Sequence, residues 1–165
     1  MWENHVMAGL IIRDMTKDEF DRWRADVVRL FAEEQVAAGT WSPEEAVELA
    51  ANANDALLPQ GFATTGMRFL TATLPDGRRV GVLWLGLMHP RDKPDCGFIY
   101  DLEIDQAYRG AGYGRALLAA AEDAARAHGL GGIELNVLGD NTRAIRLYET
   151  SGYRVVTQQM GKSLR

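Results

Sequence analysis

A single cysteine, Cys96, stands among 165 residues. One thiol excludes an internal disulfide framework and a cysteine-rich zinc site, and it suits a reducing compartment. The opening stretch MWENHVMAGLIIRD has neither a basic leader region nor a long apolar one. No later window approaches the ~20 consecutive apolar residues that span a bilayer. The expectation is a cytoplasmic protein with no membrane partner. An excess of positive charge is lacking too: 18 Lys and Arg face 23 Asp and Glu, a formal net charge of −5, which argues against nucleic acid as the partner. There is no repeat, low-complexity tract or linker, so one domain is expected over residues 1–165. What is present, 47% hydrophobic and 25% charged residues, is the composition of a chain that folds.

The apolar pattern divides the chain into strands and helices. Gly9 to Thr16 begins with the run LII and reads as a first strand. Thr16 then caps a long amphipathic helix from Lys17 to about Ala38, with Gly39 as its stop. Ser42-Pro43-Glu44-Glu45 has the chemistry of a second helix start, running to about Leu57. Met67–Leu74 and Arg79–Met88 read as a hairpin around Pro75-Asp76-Gly77. In Gly97–Asp105, simple alternation sets Phe98, Tyr100, Leu102 and Ile104 against Ile99, Asp101, Glu103 and Asp105. An Ala/Leu-rich helix over Gly112–His128, a strand at Ile133–Val137, a short helix at Asn141–Thr150 and a last strand at Gly152–Met160 complete the order βααβββαβαβ. The fold class expected is α/β (α+β in some schemes), with helices on one mixed sheet.

The informative constellation is Arg109-Gly110-Ala111-Gly112-Tyr113-Gly114 between a strand and a helix. An anion at a helix N-terminus needs free backbone N–H groups and close approach of the main chain, which Gly112 and Gly114 permit, and Arg109 and Arg115 add positive charge. A pyrophosphate fits. A dinucleotide fingerprint starting at Gly110 needs glycine or alanine where Arg115 stands, although Glu134 sits about where a ribose-binding acid belongs. That NAD-binding oxidoreductase reading stays as a minor alternative. Gly161-Lys162-Ser163 has the ending of a P-loop, but Val156 replaces its first glycine, and the match is set aside.

The pattern R-x-x-G-x-G after a strand, followed by an Ala/Leu-rich helix, resembles the acyl-CoA signature of the GNAT N-acetyltransferase superfamily. A second stretch, IELNVLGDNTRAIRLYETSGYRVV, is similar to that superfamily's strand, Asn-bearing turn, helix with a late Tyr and Gly-aromatic turn, through Asn141, Ala144, Tyr148, Gly152 and Tyr153. Together they cover about Gly97 to Met160. The resemblance implies a GNAT-like, largely antiparallel sheet of about six to seven strands flanked by four helices, and a splayed pair of central strands. It also implies acetyl-CoA or another acyl-CoA as co-substrate, with no metal. The pantetheine arm would bond the backbone of Leu102, Glu103 and Ile104, the pyrophosphate would lie on Arg109, Gly110, Ala111, Gly112, Tyr113, Gly114 and Arg115, and Asn141 would hold the arm. Tyr148 would be the acid for the departing thiolate, set against a plain packing role.

Direct transfer to an amine also needs a base. Glu103, beside Asp101 and Asp105, is the first candidate, since neighbouring acids raise one another's pKa; the competing view is a solvated strand face. Glu134 and Asn136 rank lower. Cys96, His89 and His128 are read as packing, loop and helix-end residues, and Trp23, Phe31 and Trp41 as core or pocket wall. The expected partner is a small-molecule or peptide amine acceptor, with a homodimer through the last strand or first helices as a further expectation. A non-catalytic acyl-CoA sensor is the alternative from another class.

Overall fold

The structure, a computed structural model, describes residues 5–7, 9–162 and 164; Ser163 of the discarded P-loop match lies outside them. The strands are β1 (His5–Met7), β2 (Leu10–Asp14), β3 (Met67–Thr73), β4 (Arg79–Gly86), β5 (Cys96–Ile104) and β6 (Gly132–Leu135). The helices are α1 (Lys17–Ala37), α2 (Ala46–Leu57), α3 (Tyr113–Ala127) and α4 (Thr142–Thr150). The strands lie in the order β1-β2-β3-β4-β5-β6. Every neighbouring pair is antiparallel except β5 and β6, which run parallel after the α3 crossover.

Local chemistry explains most boundaries. Thr16 Oγ1 accepts from the Glu19 amide and the Glu19 carboxylate accepts from the Thr16 amide, a capping box that starts α1 where expected. Gly77, with φ +86°, turns the β3–β4 hairpin, and Gly129, with φ +77°, follows α3. Ser42 to Glu45 is a turn rather than helix: the Ser42 hydroxyl bonds Glu45 at 2.9 Å, and α2 begins at Ala46.

Three expectations are corrected. Residues 152–160 form no strand, so only five of the anticipated strands are built and a count of six to seven overstates them; the short β1 supplies the sheet's remaining edge. Val155 and Val156 of that segment are exposed, at 77% and 59%, and an apolar run without a neighbour to pair with has no ladder to join. The third concerns β5. Its register to β4 shifts between Trp84↔Asp101 and Leu85↔Ile99, which leaves Tyr100 as an extra, bulged residue. Strict alternation therefore fails. Phe98, Tyr100, Asp101 and Glu103 all turn to one face, and Ile99, Leu102 and Ile104 to the other.

The two faces are covered differently. On one, Phe20 and Trp23 of α1 and Leu58 pack on Phe69, Val82 and Trp84, with Phe20 edge-on to Phe69 at 4.7 Å. On the other, Leu70, Leu83, Leu85 and Ile99 meet the small-residue stripe of α3, where Ala116, Leu117, Ala120, Ala121 and Ala124 are buried. Alanines let that helix lie close to the sheet, and the burial of the flanking leucines supplies ~1.5–3 kcal/mol each.

Candidate active site

β5 and β6 touch over four residue pairs, Cys96↔Gly132 to Ile99↔Leu135, and then part. β5 continues to Ile104 with β4 on one side alone. Because the Asp105 amide donates to Val80 O of β4 at 2.8 Å, alternation turns the main-chain groups of Ile104 and Leu102 the other way, into the gap. The gap between β5 and β6 is thus lined on one side by peptide groups that no strand among the described residues pairs with.

At its upper end lies the start of α3. Gly110 and Gly112 both sit in the left-handed region, at φ +89° and +87°, which glycine adopts without the ~1–2 kcal/mol that a side chain would cost there. Gly112 is the N-cap, and no side chain caps the first turn. The amides of Tyr113 and Gly114 therefore face outward at the positive end of a 15-residue helix. Arg109 folds back, its Nε donating to Ile104 O at 2.7 Å. Arg115 reaches across to α4 and donates to Thr150 Oγ1 at 2.9 Å. Glycine-rich backbone and an uncapped helix start thus lie between Arg109, held on Ile104, and Arg115, held on Thr150, donors of the kind a pyrophosphate takes.

α4 packs against the start of α3, where Leu147 lies close to Gly114. Asn141 is its N-cap, its Oδ1 accepting from the Ala144 amide at 3.1 Å, so its carbonyl end is committed while its NH2 end remains a donor. Tyr148 is half-buried beside Tyr153, with ring centroids 5.9 Å apart. Burial raises the Tyr148 phenol above its ordinary pKa, and the negative charge of Asp101 adds to the shift, which brings the α4 phenol and the β5 carboxylate into one electrostatic neighbourhood.

The two acids of β5 and Asp105 just past its end meet different fates. Asp105 is ion-paired with Arg79, through contacts of 2.9 and 3.2 Å. Glu103 is exposed; desolvation first, and the charges of Asp101 and Asp105 next, push its pKa up. Asp101 is half-buried and accepts the indole N–H of Trp23 at 3.0 Å. Burial raises its pKa, offset in part by the Trp23 indole and the Leu102 amide. The Trp23–Asp101 contact joins residues far apart in sequence, and no pattern announces it.

Residues 19–153 match the Acetyltransferase (GNAT) family. The chain belongs to the GNAT family of acetyltransferases. It is 34% identical to the N-acetyltransferase YycN of Bacillus subtilis, over 94% of this chain and 99% of that one. The crystal structure of YycN superposes with a TM-score of 0.83. YdgE of the same organism, also named an N-acetyltransferase, is 32% identical over 93% of this chain and 97% of its own. AAC(6')-Iy, solved with a bisubstrate analogue of CoA, shares the fold with a TM-score of 0.65 at 16% identity. The GNAT fold thus rests on independent sequence and structural likeness, and the chain is an enzyme of the transferase class. No described helix is long and apolar enough to cross a membrane.

Away from the GNAT gap, His89, Cys96 and Glu134 bring potential ligand atoms within 4.8 Å of one another. Their bonding is that of a strut. His89 Nδ1 accepts from the Arg91 amide at 3.2 Å, which puts the ring proton on Nε2, 3.2 Å from Glu134 Oε2. Lys93 also pairs with Glu134 and, as the leading cause, lowers its pKa. The Cys96 thiol is buried and its pKa raised by desolvation. The network ties the β4–β5 loop to β6, and Glu134 is thereby occupied. His128 caps α3, with Nδ1 3.0 Å from Ala124 O. Trp23 is core, whereas Phe31 is 37% exposed and packs edge-on against Trp41.

Proposed function

We propose that the protein transfers an acyl group, acetyl in the first instance, from acyl-CoA to a primary amine in a ternary complex. The observation that carries this is the gap between β5 and β6, which opens onto the uncapped, double-glycine start of α3. In this reading the main-chain groups of Leu102 and Ile104 line the pantetheine arm, while those of Glu103 between them turn to β4. Residues Arg109, Gly110, Ala111, Gly112, Tyr113, Gly114 and Arg115 receive the pyrophosphate, and the Asn141 NH2 group donates to the arm. Acetyl-CoA supplies an activated thioester carbonyl. The chain's own part is to hold that carbonyl beside the acceptor, to take a proton from the incoming ammonium and to return one to the departing sulfur. Tyr148, on α4, is the proton donor, and the acids Asp101 and Glu103 form the negative face that draws the amine.

The acceptor is a small molecule or peptide bearing an amine. It enters from the side of α1 and α2, because the bulge at Tyr100 aims the acidic residues of β5 that way. A homodimer through the outer edge of β6 belongs to the same proposal. Among the described residues no strand covers that edge, and Val155, Val156 and Met160 of the C-terminal segment stand exposed; light scattering of the full chain, reading one or two copies, decides it.

Calorimetric titration with acetyl-CoA, followed by thiol release with a panel of amines, tests the transfer. Binding with amine-dependent release supports it. Binding without release by any amine favours an acyl-CoA sensor, and a thermal shift with NAD but none with CoA would restore the oxidoreductase alternative. Gly112→Val, strained at φ +87°, should abolish binding.

A further inference from the structure

We infer that Asp101, and not Glu103, is the base that takes the proton from the acceptor ammonium, and that Trp23 is the residue that positions it. The inference rests on the transferase reading above and assigns a step within it. Three observations converge. The first is place: Asp101 lies two residues past Ile99, where β6 leaves β5, so it stands at the point where the gap opens. The second is direction. The extra residue Tyr100 flips the phase of β5 and presents Asp101 on the face of α1, opposite Trp84. The third is support. The Trp23 indole donates to Oδ2 at 3.0 Å, Trp23 and Trp84 are 3% and 4% exposed, and their rings meet edge-to-face at 5.5 Å. Tyr100 stacks on Trp84 at 4.4 Å. One carboxylate oxygen is thereby fixed on a rigid aromatic floor, while Oδ1 takes no part in that bond.

Glu103 lacks such support. It is exposed, no side chain among the described residues donates to it although the charges of Arg79 and Arg109 reach it, and it lies further toward the proposed pyrophosphate end. Asp105 is neutralised by Arg79. The titratable groups that feel the charge of Asp101 are Glu103 on its own strand and Tyr148 on α4; α1 presents to it the neutral indole of Trp23, and β4 the ring of Trp84.

The proton balance closes. Asp101 takes one proton from R–NH3+ and leaves the nitrogen lone pair free. That pair forms the C–N bond as the C–S bond breaks, with its electrons passing to sulfur. Sulfur is protonated by Tyr148, the nitrogen gives up a second proton to form the neutral amide, and that proton restores the phenol through solvent. Asp101 then releases its own proton to water. The sum is amide, free CoA thiol and one proton released.

Benzylamine, cationic at pH 7.5, and phenylhydrazine, of similar shape but neutral there, are the acceptor probes, with thiol release from acetyl-CoA as the readout. Asp101→Asn should slow benzylamine turnover by about 100-fold or more and phenylhydrazine turnover by less than about threefold. The acetyl-CoA dissociation constant should stay unchanged, and Asp101→Glu should restore part of the loss. Trp23→Phe should lower kcat with benzylamine at a constant KM for acetyl-CoA. Equal losses with both acceptors, or a selective loss with benzylamine in Glu103→Gln instead, would overturn the assignment. If wild type turns over neither probe, the indole Nε1–H resonance of Trp23 decides. A shift as Asp101 titrates above the ordinary carboxylate range supports the base; a resonance unmoved between pH 4 and 8 overturns it. Failure of acetyl-CoA to bind wild type would instead count against the transferase reading itself.

Discussion

A Cβ atom on Gly114 would lie 3.1 Å from Cδ2 of Leu147. The first turn of α3 therefore rests directly on α4, beside the place proposed for the cofactor pyrophosphate. Alanine would ask only the end of a flexible leucine to yield, and the better helix propensity would offset the crowding. A β-branched residue has no such room. Gly114→Val should lower stability by about 1–3 kcal/mol and weaken acetyl-CoA binding at least tenfold, whereas Gly114→Ala should stay within about 1 kcal/mol of wild type. Thermal melts paired with calorimetry check both.

Tyr148 packs beside Tyr153 and is the proton donor of the proposed transfer, so removing its hydroxyl separates the two roles. Tyr148→Phe keeps the ring and should leave the melting temperature within a degree or two, while kcat falls on the order of 100-fold and acetyl-CoA affinity is retained. Unchanged turnover would show that the phenol serves packing alone.

Glu19 accepts from both guanidinium nitrogens of Arg13 at 2.8 Å and from the Thr16 amide at 2.8 Å. The Arg13 pairing above all, opposed by desolvation, brings its pKa to about 2 from an ordinary 4.5. The folded value lies below the unfolded one, so this stabilisation is complete above the unfolded pKa and is lost as pH falls through the window toward 2. Glu19→Gln should cost about 1–2 kcal/mol at pH 7, a discounted figure for a partly exposed pair. The gap between variant and wild type should close below pH 4, as read by urea titrations at several pH values.

The Cys96 thiol is 4% exposed and its pKa is raised by burial. In the folded protein it should therefore react with an aromatic disulfide reagent at least 100-fold more slowly than a free thiol at pH 8, and at the ordinary rate in denaturant. Fast labelling of the native protein would show that the β4–β5 loop opens on its own.

Much of this architecture was legible in the sequence because its signals are local. Thr16 and Glu19 announce α1, Gly129 follows α3, and the glycines at 110, 112 and 114 mark the turn into α3. What stayed hidden depends on long-range pairing. The phase of β5 hinges on one residue that β4 does not match, and alternation alone cannot see it. The hydrogen bond from Trp23 to Asp101 has no counterpart in spacing or composition. The apolar run after Gly152 has strand propensity, but a strand also needs a partner, and in this chain the edge of β6 is not joined to it.

The bulge at Tyr100 makes β5 a strand whose length matters as much as its composition. Deleting that single residue would restore a regular ladder to β4 without inverting a side chain: Phe98, Asp101 and Glu103 would still turn toward α1, and Ile99, Leu102 and Ile104 toward α3. What would go is the ring stacked on Trp84 and the local bend a bulge imposes just where β6 leaves. The extra residue thus serves direction more than the core, and a chain without it should fold yet hold Asp101 at a changed angle to the gap. Deleting Leu102 instead has no such escape: Glu103 would turn under α3 among alanines and Ile104 toward α1, and that chain should fail to fold.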